Sequence, residues 1–469
     1  MSLVVVLDVG KTLSKLSLWS TEGALVDKRT RPNQQTKHEH FRALDAEGIG
    51  AWVIATLRDF ASAGSIGAIV PVGHGAAAAL IRGDRLACPP MDYEQPIPAD
   101  VRADYDVQRD AFERTGSPAL PDGLNLGAQL HLLETLISGL EDTQILLWPQ
   151  YWAWFLSGIA ASDPTSLGCH TDLWFPADHA PSELARRRGW ADRLAPVRPP
   201  GEVLGPIRPE IARLTGLSPA TLVHCGIHDS NAALIAARGF PEIAEAESTI
   251  VSTGTWFIAM RTPDRNAEVD LAQLPEGRDC LVNVDVLGRP VPSARFMGGR
   301  EIETLTGIDT RRIDIVPDQP DLLASLPEVV RARAAVLPTF AAGVGPFPHA
   351  HGRWIDMPVE QGARRAAVSL YAALVADVSL DLINTSGRIL VEGRFAEAQI
   401  FVRGLARLRP DAKVYVANAH NDVSFGALRL LHPDLRPQTS LDRVAPLDVD
   451  LEAYRSWWRQ EAESLEMAA

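Results

Sequence analysis

A chain of 469 residues, 46% hydrophobic and 22% charged, has an ordinary globular composition but is too long for a single core, so two or three domains are expected. Lys and Arg number 45 against 59 Asp and Glu, and the formal net charge of -14 argues against a nucleic-acid partner, which needs a cationic surface. The long apolar runs, such as residues 3–7 and 76–81, fall well short of the roughly 18 residues of a membrane helix, so no membrane partner is expected either.

No basic segment precedes residues 3–7, and Asp8 closes that run, which does not fit a secretory signal; a cytoplasmic location is expected. The cysteines Cys88, Cys169, Cys225 and Cys280 are widely spaced with no CxxC pair, and they read as reduced thiols.

In chain order, residues 3–8 read as a strand, Gly10-Lys11-Thr12 as a polar turn, and the alternation through Leu16, Leu18 and Trp19 as a returning strand. Helical spacing follows over 49–61, a buried strand over 66–72, and helices over 129–140 and 150–158. The prolines between 176 and 219 break that stretch into short helices and loops packed on the first half. At 249–260 the opening device recurs: Thr249-Ile250-Val251, the turn Ser252-Thr253-Gly254-Thr255, then Trp256 to a second apolar strand. A hydroxyl-rich turn between apolar strands, repeated about halfway along, suggests a duplicated domain and a cleft between two similar halves. The rest reads as a helix over 362–385, a strand over 389–391, a helix over 398–407, a strand over 414–416, a helix over 423–431 and an amphipathic tail over 451–467. The fold class is α/β.

Gly10-Lys11-Thr12 is not a Walker loop, because the glycine required five residues before the Gly-Lys pair is replaced by Val5 inside the first strand. The turn still offers backbone N–H groups, a cation, a hydroxyl and, at Asp8, a carboxylate able to hold Mg2+ through water. Taken alone, each of the two turns reads as structural. Two of them converging on one cleft would clamp phosphates from both sides. His228-Asp229 stands where the apolar strand from Leu222 meets a small-residue helix; Asp229 reads either as a helix cap or as the general base that a sugar hydroxyl needs. Gly73-His74-Gly75-Ala76 lets a ligand approach the backbone beside a ring nitrogen, or is a plain turn. Met91-Asp92-Tyr93 and Cys169-His170-Thr171-Asp172 place polar groups beside aromatics, a mixture suited to sugars. Trp148, Trp152, Trp154, Trp174 and Trp190 are expected in the core first. The pairs His38 with His40 and His349 with His351 lack the further ligands of a tetrahedral site, so no transition metal is assigned.

Taken in order, Asp8 to Thr12, Gly226-Ile227-His228-Asp229, Ser252-Thr253-Gly254-Thr255-Trp256, Phe296-Met297-Gly298-Gly299-Arg300-Glu301 and Glu392-Gly393-Arg394-Phe395 resemble the motif series of the FGGY carbohydrate kinases. The resemblance spans roughly residues 3–432 and is nearest to the rhamnulokinase and fuculokinase branch. It implies two actin-like, ribonuclease-H-like domains flanking a central cleft that holds ATP and sugar. They would be an N-terminal sugar-binding and catalytic domain, 1–244, a C-terminal nucleotide-binding domain, 245–440, and a helical tail, 441–469.

By the same resemblance, Asp229 is the catalytic base and Asp8 organises Mg2+. Gly10, Lys11 and Thr12 with Thr253, Gly254 and Thr255 bind the phosphates of ATP, and Gly393 and Arg394 lie on the adenosine side. Gly73, His74, Gly75, Ala76 and His228 line the sugar pocket with Asp229. Two departures stand out. Lys11 replaces a small or hydroxyl residue, which leaves it two roles, a phosphate contact or an ion pair with an acid. The adenosine loop is Glu-Gly-Arg where many relatives have a glycine run.

The expectation is an ATP- and Mg2+-dependent kinase acting on a terminal hydroxyl of a small ketose, such as the 6-deoxyketoses L-fuculose or L-rhamnulose. The alternatives are a non-catalytic sugar and nucleotide sensor, or a kinase for xylulose, ribulose or a polyol. An actin-like activator with a metal cluster is disfavoured by the cysteine spacing. The oligomeric state is open, with a homodimer among the assemblies allowed.

Overall fold

The computed structural model describes residues 2–244, 246–312, 314–417 and 423–469. The chain divides into two compact units: Met1–Gly239 with Val282–Pro290 and Asn421–Pro437, and Phe240–Leu281 with Val291–His420 and Gln438–Ala469.

In the first unit β1 (Ser2–Val9) is an almost continuous run of buried aliphatic residues, as a strand covered on both faces requires. It pairs antiparallel with β2 (Leu13–Ser20), which pairs with β3 (Leu25–Pro32). Helix α1 (Ala46–Ala61) starts at Asp45, whose side chain accepts from Gly48 N, and leads into β4 (Ser65–Gly73), parallel to β1. Helices α2 (Leu126–Leu136) and α3 (Trp148–Ser157) follow, then β5 (Val203–Pro206), β6 (Leu222–His224), β7 (Ile227–His228) and α4 (Asp229–Ala237). The sheet order is β5-β6-β4-β1-β2-β3, and β7 also pairs with β4. Side chains alternate across β1: Leu3, Val5 and Leu7 join Ile49, Val53 and Leu57 of α1 in one core, while Val4 and Val6 join Ala232 and Ala236 of α4 in another. The proline-rich stretch hides a strand, β5, which ends on Pro206 at the sheet edge, where a missing N–H costs nothing.

The second unit repeats the scheme. Strands β8 (Ser248–Thr253) and β9 (Phe257–Thr262) form an antiparallel hairpin. Next come β10 (Cys280–Val284), β11 (Pro290–Phe296), α5 (Gly298–Thr306), α6 (Gln361–Leu382), β12 (Arg388–Gly393), α7 (Gln399–Leu408) and β13 (Lys413–Ala417). The chain ends with α8 (Val423–Leu431), β14 (Leu441–Arg443) and α9 (Glu452–Met467). The sheet runs β10-β11-β9-β8-β12-β13-β14, and β12 lies parallel to β8 as β4 lies parallel to β1.

The units differ from the expected 1–244, 245–440 and 441–469: the first ends at Gly239 and also takes in Val282–Pro290 and Asn421–Pro437, and the second takes in Gln438–Ala469. Helix α8 belongs to the first unit, because Gly426 lets its backbone touch α4; a Cβ there would sit 1.8 Å from Ala232 O. Residues 441–469 are no separate tail but part of the second unit. In α9, Tyr454 Oη donates to Ala334 O at 2.8 Å and Trp458 Nε1 to Val336 O at 2.7 Å.

Candidate active site

In the first unit the strand register gathers the predicted residues. Val9 of β1 and His228 of β7 both pair with Gly73 of β4, so the β1–β2 turn, the loop 73–76 and the start of α4 leave the sheet at one end. That end carries the carboxyl termini of the parallel strands, where open α/β sheets bind ligands.

The hairpin tip is fixed by Asn33, a residue that sequence reading passed over. Its Nδ2 donates to Gly10 O at 2.7 Å, its backbone N donates to Thr12 O at 2.8 Å, and its Oδ1 accepts from Ser14 Oγ at 2.8 Å. Gly10 N donates to Leu13 O at 3.1 Å, closing the turn, and Thr12 is exposed. Lys15 Nζ lies 2.9 Å from Oδ2 of the buried Asp8. Of the two roles open to Lys11, the structure takes the ion pair. Its Nζ binds Asp92 Oδ1, lies 3.7 Å from Glu94 and stands 4.5 Å from the Tyr93 ring centre. The hairpin tip approaches residues 92–94 closely enough for Asp92 to neutralise the cation. Gln35 Nε2 ties Asp92 and Glu94 together at 2.9 Å each. These groups line a cavity of about 220 Å³ with His74 and Trp148. Trp148, like Trp152 and Trp190, is fully buried.

The small residues of the loop 73–76 have packing reasons. A Cβ on Gly73 would lie 3.0 Å from Trp148, and one on Gly75 would lie 2.3 Å from Cys169 Sγ. Ala76 adopts φ 52°, and its carbonyl is held by Gln129 Nε2 at 2.7 Å. His74 Nδ1 donates to Gly75 O at 2.7 Å, which leaves Nε2 with the lone pair; burial pulls the pKa of this ring down. Substituting Gly75→Ala is expected to cost about 1–3 kcal/mol by overpacking. Adding Cys169→Ala, which removes the sulfur the methyl strikes, should recover at least half of it in urea unfolding, and additive losses would show that the collision is not the cause.

Asp229 opens α4 with its side chain 31% exposed. Its Oδ1 accepts from Ser230 N at 2.6 Å and Ser230 Oγ at 3.3 Å, and lies 3.2 Å from His228 Nε2. Burial raises the Asp229 pKa, opposed by the charge of His74, by the Ser230 donors and by Lys15. Burial lowers the His228 pKa to about 4, so its ring is neutral at pH 7. His228 does not line the cavity; its ring is buried against Cys169 Sγ at 3.3 Å and Asn231 Nδ2 at 3.2 Å. Asp172, in the other polar stretch singled out from sequence, is consumed structurally by Tyr105 and by Arg109 at 2.9 and 3.1 Å.

In the second unit Thr253 pairs with Gly393, which sets the β8–β9 turn beside the 393–394 loop. Thr253 Oγ1 donates to Glu392 O at 2.6 Å and accepts from Phe395 N at 3.0 Å. Gly393 has φ 87°, and a Cβ there would meet Thr253 O at 2.2 Å. Gly254 is partly exposed and Thr255 exposed at the tip, and Gly299 of α5 packs so closely that its Cβ would fall 2.0 Å from Gly254 O. Arg394 is turned onto Thr310 Oγ1 at 2.8 Å, at the edge of an apolar cavity of about 50 Å³ lined by Ile302, Ile315, Phe395, Ala398 and Phe401.

The structure thus brings together Asp8, Gly10 to Thr12, Gly73 to Ala76, His228 and Asp229 in one unit, and Thr253 to Thr255, Gly393 and Arg394 in the other. Sequence reading missed Asn33, Gln35, Lys15 and Asn231, polar residues in no motif whose partners are distant in the chain, across the hairpin at Asp8, or one helical turn away. Among the described residues no group of three or more His, Cys, Asp or Glu is arranged to hold a metal ion. Magnesium keeps several waters and takes one or two carboxylates together with substrate phosphates, so a single acid such as Asp8 suits an ion that arrives on a nucleotide.

Residues 245–439 match the family described as Carbohydrate kinase FGGY, C-terminal domain. Among solved structures, a carbohydrate kinase from Novosphingobium aromaticivorans is 57% identical over 99% of this chain and 99% of that one, with a TM-score of 0.95. A xylulose kinase from Rhodospirillum rubrum (18% identity, 99% and 98% coverage, TM-score 0.81) and a Plasmodium falciparum glycerol kinase with ADP (12%, 99% and 98%, 0.80) share the fold. No curated protein matches significantly.

Proposed function

The chain belongs to the FGGY carbohydrate kinase family, and from that premise we propose that it transfers the terminal phosphoryl group of ATP to a terminal hydroxyl of a small neutral ketose. Asp229 carries this reading. It is a carboxylate at the carboxyl end of the first sheet, held by Ser230 through one oxygen. In this mechanism Asp229 orients the acceptor hydroxyl and takes its proton as the new P–O bond forms. The N–H groups of Lys11 and Thr12 with the Thr12 hydroxyl, and Thr255 at the tip of the second turn, would hold phosphate oxygens, while Gly10 N, Gly254 N and Thr253 Oγ1 shape those turns from within; Gly393 and Arg394 would lie on the adenosine side. Asp8 would hold magnesium through water, and the ion would neutralise charge on the phosphates.

The 220 Å³ cavity supports a neutral sugar, because Asp92 and Glu94 face the single cation Lys11 and leave no positive charge for a substrate carboxylate. Of the loop 73–76, His74 lines this cavity; Gly73, Gly75 and Ala76 would bound the sugar site on the side toward Asp229, which, like His228, is outside the cavity's lining. A 6-deoxyketose, L-fuculose or L-rhamnulose, is the substrate favoured by the His228-Asp229 junction and the Ser252 to Trp256 turn; xylulose, ribulose and polyols complete the panel. Measuring ADP release across these sugars, with mass spectrometry of the product, tests the reading. Turnover with a ketose and none with gluconate is expected, whereas sugar binding without any phosphorylated product would make the chain a sensor.

The pH dependence has a definite sign. A base must be ionised, and burial raises the pKa of Asp229 above the usual carboxylate range, so kcat/KM is lost as pH falls through that raised value. The acid limb should lie above the range of an ordinary aspartate near 3.9, and a limb at or below it would contradict the assignment.

A further inference from the structure

We propose, on the reading of this chain as a sugar kinase, that Glu94 sets the charge of the substrate. It is the unspent carboxylate of the 220 Å³ cavity, where it accepts from sugar hydroxyls, turns acid sugars away and favours a sugar that carries an ammonium group.

Around that cavity the charges cancel in pairs except at Glu94. Lys11 Nζ binds Asp92 Oδ1, and the same fully buried carboxylate accepts from Glu94 N and from Gln35 Nε2 at 2.9 Å each. Arg31 binds Asp45, which also accepts from Gly48 N at 2.9 Å. His74 adds no charge at pH 7, because burial lowers its pKa. Glu94 has weaker company. Its Oε2 accepts from Gln35 Nε2 at 2.9 Å and stands 3.7 Å from a Lys11 already engaged by Asp92, while Oε1 has no hydrogen bond among the described residues. Arg42 Nη1 donates to the main-chain oxygen of Glu94 at 3.2 Å. Two ion pairs and one surplus carboxylate leave the cavity with a net negative charge, and the Glu94 side chain, 51% exposed, is open to an arriving ligand.

The donors and acceptors on the walls lead to the same ligand. Gln35 spends its amide nitrogen on Asp92 and Glu94 and presents Oε1. The buried His74 donates through Nδ1 to Gly75 O at 2.7 Å, so its Nε2 is an acceptor without a partner among the described residues. Trp148 supplies the complement, a buried indole N–H that has no partner. Glu94 Oε1, Gln35 Oε1 and His74 Nε2 against one indole donor suit a molecule with several hydroxyls, each able to donate and to accept. A carboxylate on the ligand only accepts, and it meets Glu94 with like charge; an ammonium group brings three donors and the opposite charge.

Asp229 lies outside this lining, so the group that Glu94 meets is not the hydroxyl that Asp229 deprotonates. The effect of Glu94 therefore falls on binding, in the ground state and the transition state alike, and is read in KM and inhibition constants more than in kcat. Since Glu94 is half exposed, solvent screens it, and a charge on the ligand should change affinity by about 10-fold.

The test ranks fructose, gluconate and 1-amino-1-deoxyfructose as competitors of the best ketose on the full chain with ATP. In the parent the aminodeoxy sugar is expected to bind about 10-fold more tightly than fructose, and gluconate about 10-fold or more weakly. Glu94→Gln keeps the size of the side chain and loses its charge. It should raise the KM of the best ketose about 10-fold, the loss of a charge-assisted hydrogen bond, and bring the three competitors within a few-fold of one another. Glu94→Lys should reverse the order and make gluconate the tightest. A parent in which the aminodeoxy sugar fails to outbind fructose, or a ranking that Glu94→Gln leaves unmoved, overturns the proposal. Calorimetric titration of the same competitors without ATP keeps the two readings apart. Turnover of a ketose with no ranking by charge ends the role of Glu94 and leaves the kinase; the expected ranking with no phosphorylated product from any ketose ends the kinase and leaves a site that selects by charge.

Discussion

Replacing Asp229 by Asn should leave the chain folded and nearly inactive. The amide preserves the size of the side chain and an oxygen able to accept from Ser230, so the start of α4 keeps its geometry. What it cannot do is take a proton. Alcohols are weak nucleophiles at neutral pH, and a positioned general base contributes roughly 10²–10⁴-fold, so kcat should fall by that factor while sugar and ATP affinities change little. Initial rates of ADP release over matched sugar concentrations, with product identified by mass, measure this. Turnover within a few-fold of the parent would end the assignment of Asp229, and a large rise in sugar KM with kcat intact would make it a binding residue.

The largest loss of stability is expected away from any ligand, at Asp377 in α6. This fully buried carboxylate accepts from Arg409 at 2.9 Å, from Arg455 at 2.7 and 2.9 Å and from Arg459, so one acid joins α6 to the end of α7 and to α9. Asp381, one turn on, shares Arg409 and Arg459 at 2.8 and 2.6 Å and is partly exposed. Removing one partner of a buried ion pair costs about 3–5 kcal/mol, because the remaining charges lose their compensation. Asp377→Ala should therefore lower the Tm of the chain by about 6–20 °C, at about 2–4 °C per kcal/mol for a unit of this size. Asp381→Ala should cost far less, since solvent screens an exposed partner. Calorimetry on both variants checks the contrast, and equal small shifts would show that the arginines are satisfied without the buried acid.

Sequence alone determined the elements and their chemistry. The run of Val and Leu at 3–7 can only be a covered strand, the return through Leu16, Leu18 and Trp19 makes it a hairpin, and the same pattern at 249–260 announces a second copy, because periodicity and turn residues act locally. The motif residues from Asp8 to Gly393 were legible for the same reason: each lies at a turn or junction that local composition marks.

Tertiary structure decided what those residues do to one another. Strand register, which depends on burial across the whole sheet, placed Val9 and His228 against the same Gly73. The approach of distant segments gave Lys11 to Asp92 and Asn33 to the hairpin tip. Close backbone contact through Gly426 moved α8 out of the half to which its position in the chain assigns it, and a single buried carboxylate turned an apparent tail into part of the second unit. These are pairings between residues tens to hundreds of positions apart, set by packing and desolvation, and no local pattern carries them.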